Sequence, residues 1–219
     1  MKQTKQIKQM MMKLKPVKEF LNTNKKVITA VLVVFLIGTL LGMVSEAKEI
    51  SGKFVRFHIV ANSDSIEDQT VKLKVREAIF EELDFSHITS KEEAISYFSE
   101  HQEKIKSIAN RVLLENGFTY SANISVGKKE FPIREYSNFV LPAGTYDAVS
   151  ITLGEGNGQN FFCVMYPSLC KIEGVTESTT ADFQVLNNVL TEKEVATITG
   201  NKTNIVYKFK IVELLDKIF

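Results

Sequence analysis

The run VITAVLVVFLIGTLLGMV, Val27 to Val44, holds 18 residues without a single charge. As an α-helix it extends about 27 Å, close to the roughly 30 Å of a bilayer's hydrocarbon core. The 26 residues before it carry eight lysines and one acid, Glu19, and the sequence after it opens SEAKE. This asymmetry predicts a basic cytoplasmic leader over residues 1–26, a transmembrane or signal segment over 27–44, and an extracytoplasmic domain over 48–219. Retention and cleavage both stand open. The apolar run and its leader exceed the usual dimensions of a signal peptide, which favours an anchor. Ser45-Glu46-Ala47 nevertheless offers the small residues that a signal peptidase reads, with a cut after Ala47.

Charge divides at the same place. Of 27 basic and 26 acidic residues, the leader takes eight and one, leaving 19 against 25. An acidic exported body argues against nucleic acid as a partner. Its roughly 170 residues suffice for one domain with a real core.

Periodicity gives that domain an outline. In KFVRFHIVA, Val55, Phe57 and Ile59 point one way and Arg56 and His58 the other, the alternation of a strand. Asn62, Ser63 and Asp64 then form a turn and cap motif, and Ser65 with Asp68 opens a helix over Ile66 to Leu83. Val71, Val75, Ala78 and Ile79 make one apolar stripe on it, while Asp68, Gln69, Lys72 and Arg76 share a polar strip. That strip is either a recognition face or an Asp68/Lys72 pair beside a snorkelling Arg76.

A second helix runs from the Ser90/Glu93 capping box to Asn116-Gly117, with Ala94, Phe98, Ile105, Ile108 and Val112 as its stripe. His101 on that stripe reads as packed. Strands follow in YSANISV, TYDAVSITL and FFCVMY, and the alternation of Ile205, Tyr207, Phe209 and Ile211 predicts another before a short terminal helix. The stretch from Glu173 to Gly200 has room for a short helix. Together these elements predict an α+β domain: two helices packed on a mainly antiparallel sheet, preceded by one membrane-spanning or signal helix.

GEGNGQNFFCVMYPSLC, residues 154–170, sets a glycine turn before the chain's two cysteines. A phosphate-binding glycine loop leads from a strand into a helix, and here the glycines lie between two strand-like runs, so a hairpin connection is expected. Two thiolates cannot complete a zinc site, and His58, His87 and His101 are scattered. Outside the cytoplasm Cys163 and Cys170 can form a disulfide across Pro167; two buried thiols are the other reading. No cofactor or metal is expected. The nearest thing to a catalytic constellation is the His58/Asp64/Asp68 junction beside Ser63, which would make the domain an extracytoplasmic hydrolase. Turn and cap chemistry accounts for the same residues.

Two stretches, RFHIVANSDSIEDQTVKLKVREAI and LPAGTYDAVSITLGEGNGQNFFCVMYPSLC, resemble the stage II sporulation protein R family of endospore-forming bacteria. The resemblance rests on Ala61 to Asp64, Asp68, Gln69, Lys72, Val75 and Arg76, then on the glycine turn and the paired cysteines. Phe161 and Phe162 stand where the family more usually has tryptophans, and Ser168 where it has a second proline. The resemblance implies an exported signalling protein without enzymatic activity, made in the forespore and acting in the space before the mother cell. Its implied partner is a membrane-embedded aspartic peptidase that processes the sigma-E precursor. Asp68, Gln69, Lys72 and Arg76, with Phe161 and Phe162, are then the expected partner-binding residues, Arg76 as anchor. A membrane-anchored cell-wall-binding module is a further alternative.

Overall fold

The apolar run lies in α1, Lys25–Gly52, the one helix among the described residues long and apolar enough to cross a membrane. The computed structural model describes residues 23–136, 138–169, 180–200 and 202–216. It divides into two units, Met1–Ser45 and Glu46–Phe219. In the first, side chains such as Val34, Phe35 and Leu41 are exposed, as suits a helix whose solvent is lipid. The last two turns of α1 belong to the second unit, where Ala47, Ile50 and Ser51 are buried.

The second unit is α+β. Strands β1 (Val55–Val60), β2 (Ala122–Phe131), β5 (Gly144–Leu153) and β6 (Asn160–Tyr166) form one sheet in the order β2-β5-β1-β6. β3 (Arg134–Glu135) and β4 (Val140–Leu141) form a separate two-stranded ribbon. Only the β1–β5 pairing is parallel; β1–β6 and β2–β5 are antiparallel. The glycine connection is therefore not the expected hairpin. β5 and β6 do not pair, because β1 lies between them, and residues 154–159 pass over the C-terminal end of β1.

On one face of the sheet, Phe57, Ile59, Val149, Ile151 and Cys163 meet α2 (Ile66–Glu82), α3 (Lys91–Glu100) and α4 (Gln102–Glu115). Ser65 caps α2 by accepting from the Asp68 amide at 3.1 Å, and the Ser90/Glu93 capping box opens α3. The predicted stripes meet the sheet: Val71, Val75 and Ile79 from α2, then Phe98, Ile105, Ile108 and Val112 from α3 and α4. Each buried side chain of this size contributes about 1.5–3 kcal/mol. The expected single helix is interrupted at His101, yet the bonds from His101 N to Tyr97 O and from Ile105 N to His101 O keep the stripe in phase.

The opposite face is also covered, which the two-helix expectation lacked. Ile50 and Phe54 join Val140 and Leu141 of β4, Leu186 of α5 (Thr180–Asn187), Ile198 of α6 (Glu192–Thr199) and Phe209 of α7 (Lys202–Asp216). α7 replaces the strand expected around Ile205. Ile205, Phe209 and Val212 recur at helical spacing and are buried, whereas Tyr207 and Ile211 are exposed. The alternation was real but incidental. Lys53 bonds Glu194 at 2.7 Å, and Glu46 accepts from Thr197 at 3.0 Å and Lys208 at 2.7 Å, tying the end of α1 to α6 and α7.

Candidate recognition site

The two motifs singled out in the sequence interlock. Asn62, leaving β1, accepts from the Glu155 amide through its side chain at 3.0 Å and from the Asn157 amide through its backbone at 3.0 Å. Ala61 O accepts from Gly158 N at 2.9 Å, and Asp64 accepts from Gln159 N at 2.8 Å. The glycines make this closeness possible. A Cβ at Gly158 would run into the Ser63 carbonyl, and one at Gly154, where φ is +57°, would run into the Asn62 side chain.

Asp68 binds the motif from the other side. Its carboxylate accepts from Asn62 at 3.0 Å, Ser63 at 2.5 Å and the Tyr120 hydroxyl. Burial alone would raise its pKa; hydrogen bonds from Ser63, Tyr120, Asn62 and Ser65 outweigh that and hold it below the usual range. Lys72 does not pair with Asp68. It donates to Gln69 at 2.6 Å and to the Gln159 carbonyl at 3.0 Å, and Gln69 donates to Ser63 O at 2.8 Å. Arg76 lies 5.0 Å from the centre of the Phe161 ring and donates to Glu77 at 3.4 Å. Asp68, Lys72 and Arg76 are all buried, and the strip is built into the junction between α2 and the glycine connection.

The hydrolase junction does not assemble. His58 points to the opposite sheet face from Asp68, where its Nε2 lies 2.6 Å from Ser150 Oγ. A serine–histidine contact is a nucleophile–base arrangement in outline. Here both residues are buried, and among the described residues no acid orients the ring and Nδ1 has no hydrogen-bond partner. Burial, aided by the charges of Lys129 and Arg56, pushes His58 down to about 4, far from a useful base at neutral pH.

Around His58 lies a cationic and aromatic cluster. Arg56 is fully buried, its guanidinium carbon 4.3 Å from the Phe131 ring centre, 4.9 Å from Tyr146 and 5.8 Å from Phe162. Arg134 sits 3.9 Å over the outer part of the cluster, on Phe162, and His58 stacks on the same ring at 5.8 Å. Arg56 donates to the Tyr136 hydroxyl at 2.9 Å, but its Nε and Nη1, like Nε of Arg134, have no hydrogen-bond partner. No carboxylate pairs with either arginine among the described residues. Ring faces return about 2 kcal/mol to a desolvated guanidinium. Burying the charge costs several kcal/mol, and each unmet N–H about 1–3 more. The aromatic rings do not close that gap. Burial and the neighbouring Arg56 charge both lower Arg134 from its ordinary value.

The alternation sets Arg56 and His58 apart from Val55, Phe57 and Ile59 but does not show that a second layer covers their face. The signal that could have found the cluster is the helical repeat at Ile205, Phe209 and Val212, which demands a second face to cover. Phe161 and Phe162 point to opposite faces of β6, one beneath Arg76 and the other beneath Arg134. Cys163 is buried against the α2–α4 layer; Cys170 lies outside the described residues.

Comparison with known proteins agrees with the motifs. The model of the family described as stage II sporulation protein R matches residues 51–176. Stage II sporulation protein R of Bacillus subtilis strain 168 is 35% identical over 162 residues, covering 68% of this chain and 72% of that protein. No solved structure matches. With more than half its length under the family model and its Asn62–Asp68 and glycine-turn motifs interlocked, the chain belongs to the stage II sporulation protein R family.

Proposed function

We propose that the domain after α1 is an extracytoplasmic signal of endospore formation that activates the membrane-embedded aspartic peptidase processing the sigma-E precursor. A role in sporulation follows from the family. The step to a signalling ligand is supported above all by how the motif residues are used. Asn62, Ser63, Asp64 and Asp68 bond one another and the backbone of residues 155–159, so their polar groups are taken up in holding one connection in place. The apolar α1 is compatible with anchoring or secretion. Rigidly held loops on a packed scaffold are what recognition requires.

The test is complementation. In sporulating cells lacking the endogenous family protein, this chain should restore cleavage of the sigma-E precursor, read by immunoblot. Restoration should vanish when the peptidase's catalytic aspartates are replaced. Cleavage that persists without the peptidase overturns the reading. Ser150→Ala separates signal from enzyme: a signal keeps its activity, whereas a hydrolase built on Ser150 and His58 loses it while the fold survives.

A further inference from the structure

We infer that the cluster of Arg56, Arg134 and Phe162 is an anion site that takes a carboxylate. Two guanidiniums share the Phe162 ring, one of them fully buried, and three of their N–H nitrogens have no hydrogen-bond partner. Like charges placed together away from water repel, and a protein ordinarily answers them with an acid. Among the described residues none pairs with them, and the nearby titratable groups add to the imbalance: Lys129 is basic, His58 is neutral, and Tyr136 and Tyr146 have raised pKa values that keep them protonated. The missing charge therefore comes from a ligand.

The geometry selects its class. Both guanidiniums lie against aromatic rings, Arg56 against Phe131 and Tyr146 and Arg134 against Phe162. A planar monoanion with two acceptor oxygens meets guanidinium nitrogens edge-on and lies flat beside aromatic rings, whereas a tetrahedral dianion needs donors on every side. Arg134 and Phe162 are only partly buried whereas Arg56 is fully buried, so a ligand meets Arg134 first. That the carboxylate is an acidic side chain of the partner rests on the signalling-ligand reading above. The site itself does not.

The test uses the full chain in nonionic detergent, melted in chloride, acetate or phosphate at constant ionic strength and neutral pH. A second series adds an end-blocked Gly-Glu-Gly peptide. Acetate should raise the melting temperature progressively with concentration and move the His58 ring resonances in the same titration. Arg134→Gln should weaken acetate binding roughly tenfold or more. It should also raise the melting temperature without ligand, because one of two repelling charges is gone. A purely structural Arg134 would give the opposite: a lower melting temperature and an unchanged acetate response. Binding of the peptide as well as acetate supports an acidic side chain as the source, and acetate alone supports a small organic acid. No response to acetate overturns the site, and a response to phosphate alone overturns the carboxylate assignment.

Discussion

Gly158 shows how closely the two interlocked motifs pack. Its amide bonds Ala61 O, and any Cβ there meets the Ser63 carbonyl. Gly158→Ala should therefore destabilise by about 1–3 kcal/mol, seen as a lower melting temperature. An unchanged temperature would show that the connection can move away. His58 offers a second measurement. Burial holds the folded side chain near 4 against an ordinary 6.5, so the unfolded chain takes up the proton first as pH falls. Stability that is complete above about pH 6.5 should decline towards pH 4, by on the order of 3 kcal/mol. Asp68, also depressed, contributes above the ordinary carboxylate range and is lost only below it. In buffers free of carboxylate, His58→Gln should flatten the upper part of this profile and leave the lower part. A wild-type melting temperature constant from pH 7 to pH 4 would contradict the burial argument.

At the scale of elements, α2 carries the strip from Asp68 to Arg76 as part of its buried face, continuous with Val71, Val75 and Ile79. Arg76→Ala removes the guanidinium over Phe161 from a site only 4% exposed. A loss of about 1–3 kcal/mol is expected in denaturant unfolding. A variant of unchanged stability that no longer supports precursor cleavage would instead make Arg76 a contact residue. α1 matters through its end. Glu46 and Ala47 are bonded or packed within the second unit, and a cut after Ala47 would remove both from it. Exported protein should consequently retain residues 1–47, as intact mass spectrometry would read. A mature chain beginning at Lys48 would show that α6 and α7 hold without Glu46.

At the scale of the whole molecule, the proposed export bears on the cysteines, because a disulfide persists outside the cytoplasm. The pairing of Cys163 with Cys170 remains our proposal, and exported protein should weigh two hydrogens less than its reduced form in non-reducing mass spectrometry. Free thiols in exported material would reduce Cys163 to core packing. What could be read from the sequence was what depends on neighbours along the chain: the apolar span, the Ser65 and Ser90 caps, the stripes of α2 to α4 and the alternation of β1. These follow from local sterics and from one-dimensional periodicity, which survive without knowledge of the fold. Strand order did not follow, because placing β1 between β5 and β6 depends on a parallel pairing nearly 100 residues apart. Nor did the helical state of Ile205 to Val212, where two periods coexist in one segment and only a second sheet face to cover chose between them. That same covering buried Arg56 beside Arg134 and turned an ordinary outward arginine on a strand into a charge awaiting its counterion.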